Sequence, residues 1–167
     1  MLITDEYTFF YKDKIAQWNM KSFQDETNIY CCAEQYMMYH KAILFNDLEM
    51  ANKIILSNNP KEIQLLGREI KNFNNEVWNK HKEDIVYQGN FLKFSQNKDL
   101  LDLLLSTKNT ILVEVSPIDK IWGIGMDIYN PNIYDENKWL GQNLLGFILT
   151  RLRDEFILKQ QNQYFNY

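Results

Sequence analysis

A glutamate and a lysine stand seven residues apart, at Glu34 and Lys41, in a stretch whose spacing predicts a helix. Seven steps of about 100° return to nearly the same face of a helix, so both side chains can line one pocket. Their separation along the axis is about 10 Å, which is too long for the ion pairs of residues three or four apart. A substrate held between a carboxylate and an amine is one interpretation, and two ordinary surface residues are the other.

The residues around this pair favour a partly dry pocket. The segment AEQYMMYHKA at 33–42 places methionines and aromatic side chains beside both charges. Burial disfavours the charged form of a lysine and lowers its pKa, and the neutral amine is a nucleophile. Lys41 is therefore a candidate for covalent catalysis.

Three other residues can serve either chemistry or structure. Trp78 recurs at helical spacing with Ile85 and Leu92, so it can pack in the core or stack on a ring of a ligand. Asp119 follows a strand and a proline in SPIDKIWGIG, where it can face a ligand or cap a turn. Asn143, in WLGQNLLG, can approach a ligand or brace a helix.

Three arginines are candidates for binding phosphate, because the guanidinium fork matches phosphate oxygens. They are Arg68, which follows Gly67, and Arg151 and Arg153 in the last predicted helix. Simple exposure to solvent is the alternative for each of them.

The first part of the chain predicts strands and then helices. Aromatic and β-branched runs at 7–11 and 28–32 predict two strands that form a small sheet. Helical spacing follows over 33–45, and a second helix is predicted from Asp47 through Ile55.

The middle of the chain predicts two more helices. The segment NPKE at 59–62 carries a helix start signal, and Gly67 is expected to end that helix. A longer helix is predicted from Asn75, and Gly89 is expected to loosen it. Its buried side is predicted to carry the residues that recur every seven positions, Trp78, Ile85 and Leu92.

The last part of the chain contains one clear strand between helices. A short helix is predicted over 98–105, and TILVEVS at 110–116 predicts a buried strand. The composition of 117–135 is typical of an ordered loop. A final amphipathic helix is predicted over 136–158, and the polar tail at 159–167 is expected to fray.

These elements predict a mainly helical fold of the α+β type, with a few short strands. One domain is expected over residues 1–158, since a chain of 167 residues can bury one core but is short for two. Strands and helices do not alternate regularly, so a doubly wound nucleotide-binding fold is not expected. GIG at 123–125 also lacks the third glycine and the following helix of a dinucleotide fingerprint.

Composition narrows the classes of partner. The net charge is −4 with a pI near 5.2, so the basic surface of a protein that coats nucleic acid is missing. A nucleotide or a single modified base can still enter a small basic pocket. Charged residues interrupt the start of the chain, and no run reaches the roughly 18 apolar residues of a membrane span, so we expect a cytoplasmic protein without membrane contact.

Cysteine and histidine usage predicts a reduced protein without a metal. Cys31 and Cys32 are adjacent, which excludes a disulfide between separate elements of one chain. The only two histidines, His40 and His81, are far apart, and no spacing matches a zinc site. We therefore expect neither a metal nor a redox cofactor.

Taken in order, several segments resemble the NADAR, or YbiA-like, family over nearly the whole chain. They are IAQWNMKSF at 15–23, AEQYMMYHKA at 33–42, LLGREI with Trp78, KFSQN at 93–97, LVEVSPIDKIWGIG at 112–125 and WLGQNLLGFILTRLR at 139–153. At two positions the sequence departs from the usual pattern of the family, and both differences concern the substrate preference. His40 replaces a usual small residue before the lysine, and Lys21 stands where proline is common.

The resemblance implies a YbiA-like fold and cleavage of an N-glycosidic bond without a cofactor. A lysine at the position of Lys41 would attack the anomeric carbon and form a Schiff base, which water then hydrolyses. Glu34 and Asp119 match residues tied to activity, as general acid or base or as groups that hold the sugar or orient the lysine. The remaining implied residues bind substrate: Gln17, Trp18, Arg68, Trp78, Trp122, Gly123, Asn143 and Arg153.

Three functions follow from the resemblance. One is hydrolysis of phosphoribosylamino-pyrimidine intermediates of riboflavin synthesis. Another is removal of ADP-ribose from guanine bases of nucleic acid. The third, from a different class, is a module that binds ADP-ribose or NAD without turnover. The acidic pI favours a small, nucleotide-like substrate over a polynucleotide.

Overall fold

Helices form most of the ordered chain, as the sequence predicts. The computed structural model describes residues 1–164, which contain six α-helices and five short strands. The mainly helical fold class with a few short strands is confirmed. The residues group into a central unit, 17–98, and a terminal unit, formed by 1–16 and the chain from Asp99 onward.

The central unit consists of a two-stranded antiparallel sheet followed by four helices. Its strands are β3 (Phe23–Gln24) and β4 (Ile29–Tyr30). Its helices are α1 (Ala33–Leu44), α2 (Leu48–Leu56), α3 (Pro60–Arg68) and α4 (Asn75–Gln96). α1 packs against each of the other three helices of this unit, so it is the central helix.

Local capping fixes where these helices begin. The side chain of Asp47 accepts a hydrogen bond from the Met50 amide at 3.1 Å, as expected for the cap of α2. Asn59 caps α3 by accepting from the amide of Lys61 at 3.0 Å, and Pro60 occupies the first helical position. Both predicted start signals are confirmed.

Two glycines have packing roles that differ from the prediction. Gly67 does not end α3 but lies in its last turn, where an added Cβ would fall 1.9 Å from the sulfur of Met38 on α1. Gly89 does not loosen α4 either. A Cβ there would lie 2.5 Å from the ring of Tyr36, so the missing side chain lets α4 approach α1 closely.

The buried side of α4 also differs from the prediction. Trp78, Ile85 and Leu92 are half-buried rather than buried. The buried positions of this helix include two lysines and an asparagine and are Lys82, Val86, Gly89, Asn90, Lys93 and Phe94. A prediction based on apolar spacing assigns lysine and asparagine to the solvent, and here this assignment is wrong.

The terminal unit is a three-stranded sheet with two helices. β1 (Leu2–Ile3) runs antiparallel to β2 (Tyr7–Phe10), and β2 pairs in parallel with β5 (Ile111–Glu114). α5 spans Lys98–Ser106, and α6 spans Leu144–Tyr164 and packs on β5. The predicted single sheet of 7–11 with 28–32 is therefore wrong, because β2 and β4 pair with other strands in separate sheets.

α6 begins at Leu144, eight residues after the predicted start at 136. Two short 3-10 turns precede it, at Pro131–Tyr134 and Glu136–Lys138. Asn143 stands before α6 with a φ of 53°, a left-handed conformation that interrupts a helix. At the other end, α6 continues past 158 through Tyr164. The last three residues of the predicted tail, 165–167, lie outside the described residues.

No helix within residues 1–164 combines the length and the apolar composition that crossing a bilayer requires.

Candidate functional site

Helix α1 carries Glu34 in its first turn and Lys41 in its last turn. The side chain of Glu34 is buried, with 4% of its surface exposed. Its backbone amide donates to the carbonyl oxygen of Gln17 at 3.1 Å, which fixes the preceding loop against the start of the helix. The spacing predicted for the pair is thus realised on a helix whose first charged group is largely removed from water.

The ammonium group of Lys41 lies where α3 ends and α4 begins. Its Nζ donates to the carbonyl oxygen of Gly67 at 2.8 Å. It also lies 4.6 Å from the centre of the Phe73 ring and 5.5 Å from that of Trp78. Both distances are within the range of cation–π attraction. Lys41 is therefore held in a half-buried, aromatic setting.

The electrostatics of Lys41 follow from this setting. Burial lowers the pKa of the Lys41 ammonium. The negative charge of Glu34 acts in the opposite direction, and the positive charge of Arg68 lowers the pKa further. The net effect is a lowered pKa, which increases the fraction of neutral, nucleophilic amine at neutral pH.

Arg68 completes this group as an exposed cation at the end of α3. Its guanidinium donates to the side chain of Gln64 at 3.4 Å, so it keeps further donors for an anion. The structure thus brings together four residues predicted from the sequence: Glu34, Lys41, Arg68 and Trp78.

Gln17 and Trp18 lie in the loop that precedes β3. Gln17 is buried, and its side-chain oxygen accepts a hydrogen bond from the side-chain amide of Asn90 on α4 at 2.8 Å. Since the Gln17 carbonyl also binds the amide of Glu34, this residue links α4 to the start of α1. Trp18 is half-buried at the next position.

A second lysine with a lowered pKa lies on α4. Burial lowers the pKa of Lys93 to about 7, and the thiol of Cys32 acts in the opposite direction. Lys93 is fully buried, however, with 0% of its surface exposed. A substrate cannot reach it without opening the central unit, so Lys41 is the candidate nucleophile.

Sequence reasoning missed Phe73, Asn90 and the carbonyl oxygen of Gly67. Phe73 was detectable as a lone aromatic residue in the polar stretch 71–76. Its ring is held by Phe45 at 5.3 Å between centres. A backbone carbonyl has no sequence signal, so the partner of Lys41 at Gly67 could not be predicted.

Asp119, Trp122 and Gly123 lie in one turn of the terminal unit. The carboxylate of Asp119 accepts from the amides of Ile121 and Trp122 at 2.9 and 2.8 Å, which is the turn-capping arrangement considered from the sequence. A Cβ at Gly123 would lie 2.8 Å from the carbonyl oxygen of Glu114, so the close approach of the turn to β5 requires glycine. The ligand-binding roles of these residues stay predictions.

Asn143 joins this turn to the strand. It is fully buried, and its backbone amide donates a hydrogen bond to the carbonyl oxygen of Gly123 at 3.1 Å. Its side chain accepts from the amide of Glu114 and donates to the carbonyl oxygen of Leu112, both at 3.0 Å. These contacts hold the start of α6 against β5. This is the structural role that the sequence offered for Asn143 beside ligand binding.

Arg153 has structural contacts in the terminal unit. It is 2% exposed, donates to the Thr107 hydroxyl and the Thr110 carbonyl oxygen, and pairs with Asp154. Arg151 is exposed and pairs with Glu155 on the same helix. Phosphate binding by either arginine stays a prediction.

Two other observations concern possible binding sites in the described residues. An open cavity of about 380 Å³ in the terminal unit is lined by Met1, Asp13, Lys14, Asp99 and Leu103, none of which is a predicted site residue. Within the described part of the chain, no cluster of three or more His, Cys, Asp or Glu side chains could hold a metal ion.

Comparison with known proteins gives a family and a fold. The model of the NADAR domain family matches residues 4–157. The solution structure of the Escherichia coli protein YbiA superimposes with a TM-score of 0.78, covering 96% of this chain and 90% of that chain. Its sequence identity is 23%, so this likeness shows the fold alone.

Several relatives carry functional names. The chain is 46% identical to N-glycosidase R617 of Acanthamoeba polyphaga mimivirus, over 91% of this chain and 97% of the relative. It is 32% identical to the chloroplastic riboflavin biosynthesis protein PYRR of Zea mays, over 74% of this chain and 19% of the relative. The first relative matches along nearly its whole length, and the second contains a similar region within a much longer protein.

Proposed function

Because the chain belongs to the NADAR family, in which a relative of similar length is named an N-glycosidase, it is an N-glycosyl hydrolase, and we propose that Lys41 is its nucleophile. The proposed reaction cleaves the bond between a base-like nitrogen and a phosphorylated ribose. One observation carries this proposal: the amine of Lys41 is half-buried beside Trp78, with a pKa lowered by burial and with Glu34 close enough to act on its charge.

The proposed mechanism has two covalent steps. The neutral amine of Lys41 forms a bond to the anomeric carbon, and the bond from that carbon to the base nitrogen breaks. The electron pair leaves with the base nitrogen, which takes up a proton. The carboxylate of Glu34 can supply this proton after it has accepted one from the ammonium of Lys41. The lysine nitrogen then loses a proton and forms a double bond to the anomeric carbon. The bond from that carbon to the ring oxygen breaks, and the oxygen keeps the electron pair and takes up a proton, which gives a Schiff base and a free hydroxyl group. Water then adds to the imine carbon and releases the sugar and the free amine.

The rings beside Lys41 suit the base part of such a substrate. Trp78 and Phe73 present aromatic surface next to the amine, and aromatic side chains stack on planar bases. The guanidinium of Arg68 suits a phosphate. The net charge of −4 favours a small phosphorylated molecule over a polynucleotide.

Two substrate classes fit this description. The name of the Zea mays relative supports a phosphoribosylamino-pyrimidine of riboflavin synthesis. ADP-ribosylated guanine contains the same bond between a base nitrogen and a phosphorylated ribose. Purified protein should be offered both compounds side by side, with release of the base followed by chromatography.

We expect Lys41→Ala to lower kcat by at least about a thousandfold on whichever compound the wild type hydrolyses, because the covalent route is lost. Lys53→Ala is the matched control, since Lys53 is exposed on α2 and pairs with Glu49. It should keep wild-type activity. A Lys41→Ala protein that hydrolyses normally would reject the lysine mechanism. A wild type that binds ADP-ribose but hydrolyses neither compound would identify a binding module instead.

A further inference from the structure

Lys82 is a buried lysine that the proposed mechanism does not use. It lies on α4 with only 7% of its surface exposed. Lysine is rarely buried to this extent, because removing an ammonium group from water costs free energy unless another group compensates. Its position therefore needs a physical explanation.

The protein itself compensates this charge only in part. The Nζ of Lys82 donates to the side-chain oxygen of Asn79 at 2.9 Å. No carboxylate of residues 1–164 forms an ion pair with it. An ammonium group has three donors, so a neutral amide leaves donors and a full positive charge for another partner. A buried cation with this environment suits an anionic ligand.

The place of Lys82 on α4 connects it with the candidate site. Lys82 follows Trp78 by four residues, so the two side chains lie on the same face one turn apart. Side chains in a helix lean toward its N-terminus, and the bond to Asn79 shows that Lys82 does so. Its ammonium therefore extends toward the turn that carries Trp78, whose ring lies 5.5 Å from the amine of Lys41.

We propose that Lys82 binds the phosphate of the substrate while Trp78 contacts the base and Lys41 reacts with the sugar. This inference rests on the proposed function and makes Lys82 a residue that selects phosphorylated over unphosphorylated ribosyl compounds. Phosphate oxygens would supply the charged acceptors that Asn79 does not, through charge-assisted hydrogen bonds. An ammonium on a flexible stem is a common phosphate ligand.

The kinetic test compares a phosphoribosylamino-pyrimidine with the same compound lacking its phosphate. Lys82→Gln should raise KM for the phosphorylated compound about tenfold to a hundredfold, the usual effect of losing a hydrogen bond to a charged group. It should leave kcat nearly unchanged and have no effect on the unphosphorylated compound. Lys82→Arg should restore much of the preference. Lys80→Gln, an exposed lysine on the same helix, is the matched control and should behave as wild type.

A stability measurement separates this role from a structural one. Lys82→Met removes the buried charge and keeps a flexible side chain of similar length, so its Tm should equal or exceed that of the wild type. A lysine that holds the fold together would instead give a lower Tm. Equal loss of activity on both compounds, or no loss on either, would overturn the proposal.

A binding measurement separates this proposal from the proposed function. Calorimetry with ribose 5-phosphate and with ribose should show a preference for the phosphate in the wild type, and Lys82→Gln should reduce it about tenfold or more. If the wild type hydrolyses nothing but this preference is found, the proposed function fails and the role of Lys82 stands. If hydrolysis is found and the preference is unchanged in Lys82→Gln, the role of Lys82 fails alone.

Discussion

As the proposed nucleophile, the amine of Lys41 has to meet two opposite requirements. It must be partly removed from water, because burial lowers its pKa, and it must remain open to a substrate. Lys93 shows that burial alone does not make a lysine a suitable nucleophile. Its pKa is lowered to about 7, but no part of its side chain is exposed to a substrate. The half-buried position of Lys41 between the Gly67 carbonyl oxygen and two aromatic rings meets both requirements.

The dependence of activity on pH should follow the charge near Lys41. Attack requires the neutral amine, so kcat/KM should rise with pH and level off above the pKa of Lys41. Arg68→Gln removes a positive charge that lowers this pKa, so the pKa should rise and the pH profile should move to higher pH. Because Arg68 is exposed, the shift should become smaller at high salt.

The matched control for this pH profile is Lys61→Gln, which removes an exposed positive charge from the same helix without an effect on Lys41. Its profile should overlay that of the wild type. An unchanged profile for Arg68→Gln, or a shift to lower pH, would contradict the assignment of the titrating group to Lys41.

The sequence predicts part of this site for a geometric reason. Glu34 and Lys41 belong to one helix, so their common face follows from helical periodicity alone. Phe73 and the Gly67 carbonyl oxygen come from other segments and meet Lys41 only after the helices pack. Lys82 was missed because a lysine in a helical pattern is normally assigned to the solvent.

Helix α1 supports the site through close contacts with α3 and α4. Gly67 makes room for the thioether of Met38, and Gly89 makes room for the ring of Tyr36. These contacts set how closely the helices that carry the Gly67 carbonyl oxygen and Trp78 approach the helix that carries Lys41. The two glycines differ in what they face, since a thioether is flexible and an aromatic ring is rigid.

Alanine at the two glycines should therefore have unequal effects on stability. Overpacking at Gly89→Ala should cost about 2–3 kcal/mol, the upper part of the usual range, because the Tyr36 ring is rigid, and helix propensity should offset about 1 kcal/mol of this cost. The free energy of unfolding should fall by about 1–2 kcal/mol. At Gly67→Ala, Met38 can rotate away, so the change should stay within about 1 kcal/mol.

Urea denaturation of both variants measures this difference, and each variant controls for the other because both add one methyl group to a helix contact of α1. A larger loss at Gly67 than at Gly89, or no loss at either, would show that these contacts do not limit the approach of the helices.

Helix boundaries were easier to predict than strand pairing. Asp47 and Asn59 are caps whose partners lie within three residues, so a local pattern identifies them. The parallel partner of β2 is β5, which lies about a hundred residues later, and no local pattern specifies this pairing. Similarly, the late start of α6 depends on the buried side chain of Asn143, which binds the backbone of β5.

The molecule as a whole is acidic, yet its candidate site contains cations. The chain has a net charge of −4, while the proposed nucleophile Lys41 and the proposed phosphate ligands Arg68 and Lys82 lie on α1, α3 and α4. Such a distribution suits an anionic small molecule and not a long polyanion. The family of the chain is that of N-glycosidases, and the proposed covalent role of Lys41 is the step on which the proposed mechanism depends.

Reductive trapping tests this role most directly. The whole protein should be incubated with substrate and sodium borohydride, which reduces a Schiff base to a stable amine, and its peptides should be analysed by mass spectrometry. We predict a ribosyl adduct on Lys41 that requires substrate and is missing in Lys41→Ala. An enzyme that hydrolyses the substrate but carries no adduct on Lys41, or carries it on another lysine, would contradict the mechanism.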